Sequence, residues 1–386
     1  MKVVYNSPNR AHHYKYAQEL DRAGVLAKFV SGFPRFGPGK ELPVKQPSTM
    51  ARRDLLQMVY LALNRSGINA LALPAAHLAK IDLDRSSSKW ARQADLFLFY
   101  PGAGLSTLRK LKGTKVRSVS EQVTSDVRNY TAIMEEESRI CKCAPPVLYK
   151  PEIQRRIAET DEADFVVCPS SYSRRTLIEN GRDERTVFVN HYGWPAIAVK
   201  QIERSASGEF TILFVGQVNL RKGLRYLLEA FARFEHPRKK LKIVGPLAAP
   251  TGIEGLPMPA NVEFTGALKG EALEQCYREA SVFVLPSIED GFGLVLGEAM
   301  SAGVPIIATE NSGGPDLIEE GVHGFIVGIR DPEAIALRLQ QLADSPELLA
   351  SMREACLARA SSLSGWQKSG EELVGVLEQI HGAARD

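Results

Sequence analysis

Short apolar runs alternate with longer amphipathic segments throughout the second half of the chain. The runs FTILFVGQV, LKIVG, VEFTG, SVFVLPS, VPIIATE and GFIVG are rich in β-branched and aromatic residues and predict buried strands. Segments between them, such as LRYLLEAFARF and EALEQCYREA, carry apolar residues at helical spacing. Strands that alternate with helices in this way predict parallel βαβ units in a doubly wound sheet. From Pro332 onward the pattern predicts helices throughout.

The same alternation is fainter in the first half. MKVVYNS predicts a first strand, and HHYKYAQELDRAG predicts the helix after it. Further strands are predicted at ADLFLFYPG, VRSVSE, ADFVVCPSS and TVFVNHYG. Residues 193–209 mix Pro, Ser, Gly and charged side chains, as interdomain linkers do. We therefore predict an α/β fold in which two Rossmann-like domains face each other across a cleft.

Length and composition support a globular protein with two cores. The chain has 386 residues, of which 44% are apolar and 24% are charged. Polar residues interrupt the start of the chain, so we expect no signal peptide. Asn64, Arg65 and Asn69 interrupt the longest apolar tract, which argues against a membrane-spanning helix there. Five cysteines offer only a lone C-x-C, so we expect free thiols in a cytoplasmic protein and no metal.

Charge divides unevenly between the two halves. Residues 1–200 carry 31 Lys and Arg against 20 Asp and Glu, a net +11, whereas the remainder carries 17 against 25, a net −8. The asymmetry predicts an anionic partner for the first half, although uneven solvated surfaces would give the same count. Two basic, partly amphipathic stretches, at 48–67 and 105–117, are candidates either for contact with an anionic membrane at the cytoplasmic face or for core helices. We expect no nucleic-acid partner.

The stretch EDGFGLVLGEAMSAG, residues 289–303, concentrates carboxylates at the start of a predicted helix. It follows a predicted strand, and doubly wound sheets bind ligands at the carboxyl ends of their strands. Gly291 and Gly293 would leave backbone N–H groups free to donate. Glu298 lies about 10 Å beyond Gly291 along a helix, roughly the distance from sugar to ribose in a nucleotide diphosphate sugar. The alternative is that Asp290 caps the helix and Glu298 is a solvent-exposed helix residue.

A second anion site is predicted where the first strand of this half ends. VGQVNLRKGLRYLLEAF places Arg221, Lys222 and Gly223 in a loop before a helix. Arg donates to two phosphate oxygens at once and Lys acts as a point charge. Since the helix dipole disfavours cations at this end, solvated surface residues are the weaker explanation. We predict that Arg221 and Lys222 bind a diphosphate.

Together, VGQVNLRKG, VEFTGAL, VFVLPSIEDGFGLVLGEAMSAGVPIIAT and GGPDLIEEGVHGFIV resemble the C-terminal domain of the retaining GT-B glycosyltransferases of glycosyltransferase family 4. More loosely, EADFVVCPSSYSRRTLIENG resembles the end of that family's first domain, and SGWQKSGEELVGVLEQI resembles its terminal helix. The resemblance implies an acceptor domain over 1–200, a donor domain over 201–365 and a helix over 366–386 that returns to the first domain. It also implies a UDP- or GDP-sugar donor, no cofactor, and a glycan or lipid-linked acceptor, as in cell-surface polysaccharide biosynthesis.

Carried over by position, the resemblance assigns roles to individual residues. Asp290 would lie near the donor sugar and Glu298 on the ribose, while Arg221 and Lys222 would hold the departing diphosphate. The catalytic candidates are therefore Asp290, Arg221 and Lys222. The donor-binding candidates are Gly216, Gln217, Arg221, Lys222, Ala267, Leu268, Glu289, Asp290, Gly291, Phe292, Gly293, Leu294 and Glu298. Of these, the residues at 267–268 would lie beside the base and those at 291–293 would donate N–H groups to sugar and phosphate.

The chain departs from the family pattern in both halves. Asp290 stands where the family usually has Glu, with Glu289 as an alternative carboxylate, and Gln217 stands where it often has Arg. In the first half, SPNRAHH lacks the usual glycine pair, and SVSEQVTSDVRNY lacks the family's histidine. The acceptor-side candidates are Asn9, Arg10, His12 and His13.

Two other classes of protein remain open on the sequence. An NAD-dependent oxidoreductase shares the fold class, but the expected G-x-G-x-x-G is missing from YNSPNRAHH. A non-catalytic nucleotide- or carbohydrate-binding protein of transferase ancestry would keep the donor domain without the first-domain histidine. IDLDR, at 81–85, resembles a D-x-D metal motif, but it precedes the strand ADLFLFY by a whole loop and is expected to be solvated.

Overall fold

The computed structural model describes residues 1–36, 43–195, 197, 208–363 and 365–383. Most of the predicted linker, residues 198–207, lies outside this part of the chain. The first half contains strands β1 (Val3–Ser7), β2 (Leu26–Ser31), β3 (Met50–Arg52), β4 (Leu96–Phe99), β5 (Arg117–Glu121), β6 (Phe165–Cys168) and β7 (Val187–Val189). Its helices are α1 (His13–Arg22), α2 (Leu55–Arg65), α3 (Asn69–Ala91), α4 (Leu105–Leu111), α5 (Val127–Cys141), α6 (Lys150–Glu162) and α7 (Ser171–Glu179).

These strands form one parallel sheet in the order β3-β2-β1-β4-β5-β6-β7. The chain builds outward from β1 in one direction and then returns to add β4 on its other side. A doubly wound sheet binds ligands at such a reversal, just beyond the carboxyl ends of the two strands. The strands predicted from the sequence are present, whereas β2 and β3 had no predicted counterpart.

The second half repeats this architecture with six strands. They are β8 (Phe210–Val215), β9 (Lys239–Val244), β10 (Val262–Gly266), β11 (Val282–Leu285), β12 (Ile306–Thr309) and β13 (Gly324–Val327), in the order β10-β9-β8-β11-β12-β13. The helices are α8 (Leu224–Arg233), α9 (Glu271–Glu279), α10 (Leu294–Ser301), α11 (Gly314–Leu317), α12 (Pro332–Asp344), α13 (Pro346–Leu363) and α14 (Trp366–Gly382).

The two parallel sheets confirm the predicted α/β fold of two Rossmann-like domains. In the second sheet, β8, β11 and β12 are buried along their whole length. Strands covered by helices on both faces are continuous apolar runs, which is why their sequences predicted them well. The reversal of strand order lies between β8 and β11.

The last helix of the described chain, α14, packs on the first domain. Tyr16 Oη of α1 lies 3.2 Å from Ser369 Oγ, and Arg117 donates to the backbone carbonyl of Ile380. Gly370 faces the side chain of Glu19 so closely that a Cβ there would overlap it. The preceding helix, α13, packs instead on α10 of the second domain. The end of the chain therefore connects the two domains.

One charged segment differs from expectation. IDLDR lies within α3, and Asp84 is buried, where it accepts hydrogen bonds from the backbone N–H groups of Ser106 and Thr107 and pairs with Arg155. The prediction that this segment is solvated is therefore wrong at Asp84. It serves instead as an anionic acceptor at the start of α4.

Within the described residues, no helix combines the length and apolar character needed to cross a membrane.

Trp194 fixes the contact between the end of the first half and α10. Its indole is fully buried and donates from Nε1 to Ser301 Oγ at 2.9 Å. The ring lies directly against Gly297 of α10, where an added Cβ would overlap it. Glycine at position 297 is thus required by close approach, in spite of its cost within a helix.

Two helical glycines test this packing as a matched pair. Gly297→Ala should lower the free energy of unfolding by about 1–3 kcal/mol, because the methyl group overpacks against Trp194. Gly375→Ala in α14, where an added Cβ meets nothing within 4 Å, should raise it by about 0.5–1 kcal/mol through helix propensity. Urea denaturation followed by circular dichroism measures both. If both substitutions raise the free energy of unfolding equally, the packing of Trp194 against α10 relaxes to accommodate the added methyl group.

Candidate functional site

The candidate site lies at the strand-order reversal of the second sheet. The loop after β8 contains a 3-10 turn, Leu220–Lys222, and ends at Gly223, whose φ of 61° lies in the left-handed region. Gly223 is pressed against the backbone carbonyl of Pro286, in the loop after β11. A side chain at 223 would force these two loops apart. The local sequence therefore brings Arg221 and Lys222 beside the carboxylates that follow β11.

Four charged side chains meet there. Lys222 Nζ pairs with Asp290, and Arg221 NH1 lies 3.5 Å from Asp290 Oδ1 and 3.3 Å from Glu289 Oε2. Lys222 and Asp290 are less than a tenth exposed, and Glu289 is fully buried. Two cations and two carboxylates thus form one compact cluster, which we call the ion cluster. Buried charges are tolerated only when they are paired in this way.

The pairing sets the ionisation of these groups. Burial alone would raise the pKa of the Asp290 carboxyl, but Lys222 and Arg221 beside it hold that pKa below its ordinary value. Burial lowers the pKa of Lys222, an effect that Asp290 opposes. For Arg221, burial also lowers the pKa, but Asp290 and Glu289 outweigh it and the net shift is upward. The cluster therefore contains anionic Asp290 and permanently cationic Arg221.

The first domain closes over the ion cluster. The backbone N–H of Ser125 donates to Glu289 Oε1 at 3.0 Å, and Ser170 Oγ donates to the Gly291 carbonyl at 2.5 Å. A Cβ on Gly291 would overlap the backbone carbonyl of Val123. The loop after β11 is therefore held by segments that follow β5 and β6 of the first sheet. Glycine at 291 is needed because the opposing backbone comes so close.

Phe292 serves as an interdomain contact. Its ring is 2% exposed, and its centroid lies 5.9 Å from His191, 5.7 Å from Tyr192 and 6.3 Å from Trp194. The Phe292 backbone N–H also helps to lower the pKa of Asp290. The sequence predicted free N–H groups along 291–293, but the N–H of Phe292 is directed to a carboxylate of the protein itself.

Asp290 does not cap α10, although the alternative interpretation of the sequence assigned it that role. The helix begins at Leu294 with Gly293 in the N-cap position, at φ 81°, and no side chain caps it. Asp290 instead uses its carboxylate in the ion cluster and donates its backbone N–H to the Asn311 carbonyl at 2.8 Å. Its pairing with Lys222 spans two strands of the sheet, a relation that helix-start statistics do not capture.

Glu298 is the fifth residue of α10 and is partly buried. Gly291 precedes the helix, so the predicted two helical turns from Gly291 to Glu298 are wrong. Only about 6 Å of helix axis separates Leu294 from Glu298. Glu298 Oε2 accepts a hydrogen bond of 2.8 Å from the hydroxyl of Tyr277, and burial raises the pKa of the carboxyl. Glu298 is therefore not a fully exposed helix residue.

The remaining donor-side candidates lie on neighbouring loops. Gly216 immediately follows β8, and a Cβ there would lie 3.7 Å from Lys222 Cε. Gln217 is exposed and accepts a hydrogen bond from the Asn219 amide. Ala267, exposed, and Leu268, half-buried, follow β10, the edge strand of the sheet and two strands away from β8. The structure thus brings Gly216 close to the ion cluster and leaves 267–268 at the sheet edge.

In the first domain, His12 and His13 contact a carboxylate, that of Glu121, which the sequence alone does not mark as a site residue. Glu121 ends β5; its Oε1 lies 2.9 Å from His12 Nε2 and its Oε2 lies 3.3 Å from His13 Nδ1. Tyr5 donates its hydroxyl to Glu121 Oε2 at 2.6 Å. All four side chains are buried. Only the position of VRSVSE as a predicted strand could have marked Glu121, because its partners are more than a hundred residues away.

This His12–His13–Glu121 group is strongly polarised. Burial, and then His13, lower the pKa of His12 to about 4. Burial alone would raise the pKa of Glu121, but the two imidazoles hold it well below its ordinary value. The ligand atoms of the three residues lie within 4.8 Å of one another, as those of a metal site would, but they already hydrogen-bond to one another. The group is consistent with a neutral His12 beside a carboxylate.

The other acceptor-side candidates lie in the loop before α1. Asn9 shares hydrogen bonds with the Ser7 hydroxyl. Arg10 is partly exposed, its guanidinium lies 5.9 Å from the centre of the Tyr14 ring, and it has no ion pair within the described chain. The His12 ring is 4.1 Å from that of Tyr192, which in turn contacts Phe292. An aromatic path therefore links the acceptor-side residues to the loop that carries Asp290.

A cleft of about 720 Å³ opens between the domains beside Arg221. From the first domain, α2, α3, α5 and the segment before α6 contribute walls; from the second, the loops after β8 and β9 do so. The lining residues include Asn64, Leu73, Pro74, Tyr130, Met134, Tyr149, Leu220, Arg221 and Pro250. Most of these side chains are apolar, and Arg221 connects the cleft to the ion cluster.

Known proteins resemble part of the chain in sequence. The family described as glycosyl transferases group 1 matches residues 197–358. D-inositol 3-phosphate glycosyltransferase of Streptomyces scabiei is 36% identical over 172 residues, which are 41% of this chain and 38% of that protein. Spore coat protein SA of Bacillus subtilis is 27% identical over 67% of this chain and 71% of its own length. The chain thus spans about two fifths of the first curated relatives it matches.

Solved structures resemble the whole chain in fold. Sucrose-phosphate synthase from Thermosynechococcus elongatus superposes with a TM-score of 0.69 over all of both chains, at 18% identity. Anabaena HepE in complex with UDP gives 0.65 over 98% of this chain and all of that one, at 16% identity. Likenesses at this identity show the fold, which is GT-B. Residues 197–358 therefore match glycosyl transferases group 1, in a chain with the two-domain GT-B fold.

Proposed function

We propose that the protein is a retaining glycosyltransferase that transfers a hexose from a UDP- or GDP-sugar to a glycan or lipid-linked acceptor. The observation that carries this proposal is the ion cluster, in which Arg221 and Lys222 are gathered at the strand-order reversal of a glycosyl transferases group 1 domain. Two cations beside a cleft suit a diphosphate. The solved structures of Anabaena HepE with UDP and with UDP-glucose support the choice of donor class by analogy.

The chemistry required of the protein is mainly electrostatic. When the bond from sugar to phosphate breaks, negative charge develops on the diphosphate, and Arg221 and Lys222 would stabilise it from a largely buried position. Low exposure to water strengthens these interactions. Retention in family 4 is commonly described as a front-face displacement in which the leaving phosphate accepts the proton of the acceptor hydroxyl. No protein nucleophile is then needed.

The carboxylates would position the donor. Asp290 adjoins Lys222 and would face the sugar hydroxyls. Glu298, fixed by Tyr277, would accept hydrogen bonds from the ribose diol. Glu289 is tied to Ser125 and Arg221, so we assign it to holding the domains and the Arg221 guanidinium rather than to the sugar. The backbone at 267–268 would adjoin the base.

The acceptor would bind on the first domain, at the carboxyl ends of β1 and β5. Arg10 offers a cation without an ion pair in the described chain, and His12 offers a neutral imidazole oriented by Glu121. Neutral imidazole can accept a proton or a hydrogen bond from a hydroxyl group. The basic first half suits an anionic acceptor, as in cell-surface polysaccharide biosynthesis at the cytoplasmic face of a membrane.

Two other functions are less well supported. For an NAD-dependent oxidoreductase, the loop from Pro8 to His12 contains no glycine that would admit a pyrophosphate. A non-catalytic binding protein would keep the ion cluster but would not turn over a donor. Incubation with radiolabelled UDP- and GDP-sugars separates the proposals: slow hydrolysis of one of them supports a transferase, and binding without any turnover supports the binding protein.

Lys222 provides the first test of the donor site. Lys222→Ala should reduce kcat/KM for donor hydrolysis by the equivalent of about 2–4 kcal/mol, because one cation is lost from the developing phosphate charge. Lys242→Ala is the matched control, since Lys242 is a mostly buried lysine that pairs with Glu279 at 2.9 Å elsewhere in the domain. Its kinetics should match those of the wild type. Activity of Lys222→Ala within twofold of the control would remove Lys222 from the site.

Glu298 and Tyr277 provide the second test, since they share one hydrogen bond. Glu298→Gln should weaken nucleotide binding by about 1.5–3 kcal/mol, the range for hydrogen bonds to a charged acceptor. Tyr277→Phe removes the same internal hydrogen bond but keeps the carboxylate, so it should affect stability more than nucleotide affinity. Calorimetric titration with UDP or GDP and thermal unfolding separate the two effects. If both variants lose stability alike and bind nucleotide normally, Glu298 only supports Tyr277.

A further inference from the structure

An exposed apolar surface covers one side of the first domain. Of fourteen large apolar side chains exposed in the described chain, six lie within the hairpin formed by α2 and α3: Leu55, Leu56, Val59, Ile68, Leu71 and Leu78. Leu55 is 70% exposed and Leu71 is 57% exposed. Exposed apolar residues that occur singly are ordinary, but a cluster of this kind marks a contact surface.

The helix α2 is mainly apolar, yet little of it is buried. Its sequence is LLQMVYLALNR, and the one residue classed as buried is the polar Gln57. Leu55, Val59 and Ala62 recur at intervals of four and three residues and therefore share one exposed face. An amphipathic helix that packed on the core would show the opposite arrangement. One apolar face of α2 is therefore exposed, whereas Met58, Leu61 and Leu63 of the same helix are partly buried.

Basic residues flank the exposed face of this hairpin. Residues 55–81 contain Arg65 and Lys80 but no Asp or Glu; Lys80 is paired with Glu152, and Asp82 and Asp84 follow further along α3. Asp54, immediately before α2, is buried and pairs with Arg35 at 2.8 Å. Arg53, on the other side of Asp54, is exposed and has no ion pair in the described chain. An exposed apolar face flanked by basic residues complements an anionic bilayer surface.

The other basic stretch, residues 105–117, fits a membrane less well. Arg109 and Lys112 both pair with Glu162, at 2.6 Å and 2.8 Å. Part of their charge is therefore neutralised within the protein. Leu108 and Leu111 of the same helix are buried, so the stretch has little apolar surface to insert.

We propose that the α2–α3 hairpin docks the protein on an anionic lipid bilayer, with the exposed face of α2 inserted at the level of the headgroups. The docking does not depend on the transfer reaction. It has one consequence that does rest on the proposed function. Asn64 and Leu73 of the hairpin line the same interdomain cleft as Arg221, so docking would bring the mouth of the cleft to the bilayer, where an amphiphilic acceptor could enter.

Vesicle flotation tests the docking with the full chain. Wild type should float with vesicles of phosphatidylcholine and phosphatidylglycerol and much less with phosphatidylcholine alone. The double variant Leu55→Glu/Val59→Glu should partition at least about tenfold less, because two apolar contacts are replaced by charges of the wrong sign. Leu337→Glu is the matched control, since Leu337 is a 65% exposed leucine on a helix of the second domain. It should float like wild type.

Three results would overturn the proposal. The first is wild type that stays with the soluble fraction in both lipid mixtures, and the second is a double variant that floats as well as wild type. The third is self-association through this face: a wild-type dimer in sedimentation velocity that the double variant converts to a monomer, without vesicle binding by either. Circular dichroism confirms that the variants are folded. Donor hydrolysis, measured without lipid, should be equal in all three proteins, so a failure of docking is distinguishable from a failure of the transferase proposal.

Discussion

Four charges, on the buried Lys222, Glu289 and Asp290 and on the partly buried Arg221, impose the constraint on which the rest of the site depends. A single unpaired charge at this depth would cost several kcal/mol, so each of them must be balanced by its neighbours. The balance requires the loops after β8 and β11 to touch, and Gly223 makes that contact feasible. A diphosphate that entered would interact with cations whose positions are already fixed by carboxylates. Preorganised charge of this kind needs little rearrangement during a reaction.

The same cluster joins the two domains. Glu289 accepts a hydrogen bond from the backbone of Ser125, and the carbonyl of Gly291 accepts one from Ser170. Phe292, one residue further on, packs among aromatic side chains that follow β7. A change in the relative position of the domains would therefore disturb the donor loop directly. Through Tyr192 the disturbance would also reach His12 and the acceptor side.

Much of the fold was predictable from sequence because strands buried on both faces have continuous apolar sequences. The exceptions have physical reasons: Lys28 interrupts β2, and β3 has three residues at the edge of its sheet. Arg221, Lys222 and Asp290 were identified as site candidates from loop position and from the family resemblance. The ion pairs between these residues could not be predicted, because contacts between loops that follow different strands leave no signal in a single sequence.

Buried carboxylates were the least predictable feature. The sequence favours a solvated position for Asp84, yet this residue is buried, since its partners in Arg155 and the start of α4 come from distant segments. Glu121 escaped notice for the same reason, because its partners at positions 12 and 13 lie on another strand–helix unit. Buried carboxylates of this kind become visible only when tertiary structure supplies the opposing donors.

The requirement for a diphosphate can be measured directly by calorimetric titration of the wild-type protein with UDP, GDP, UMP and GMP. If Arg221 and Lys222 are the partners of the diphosphate, one of the two nucleoside diphosphates should bind at least about tenfold more tightly than its monophosphate, a difference of about 1.4 kcal/mol or more. Equal affinity for the diphosphate and monophosphate of the preferred base, or binding of none of the four, would contradict the assignment of the ion cluster as a nucleotide-sugar site.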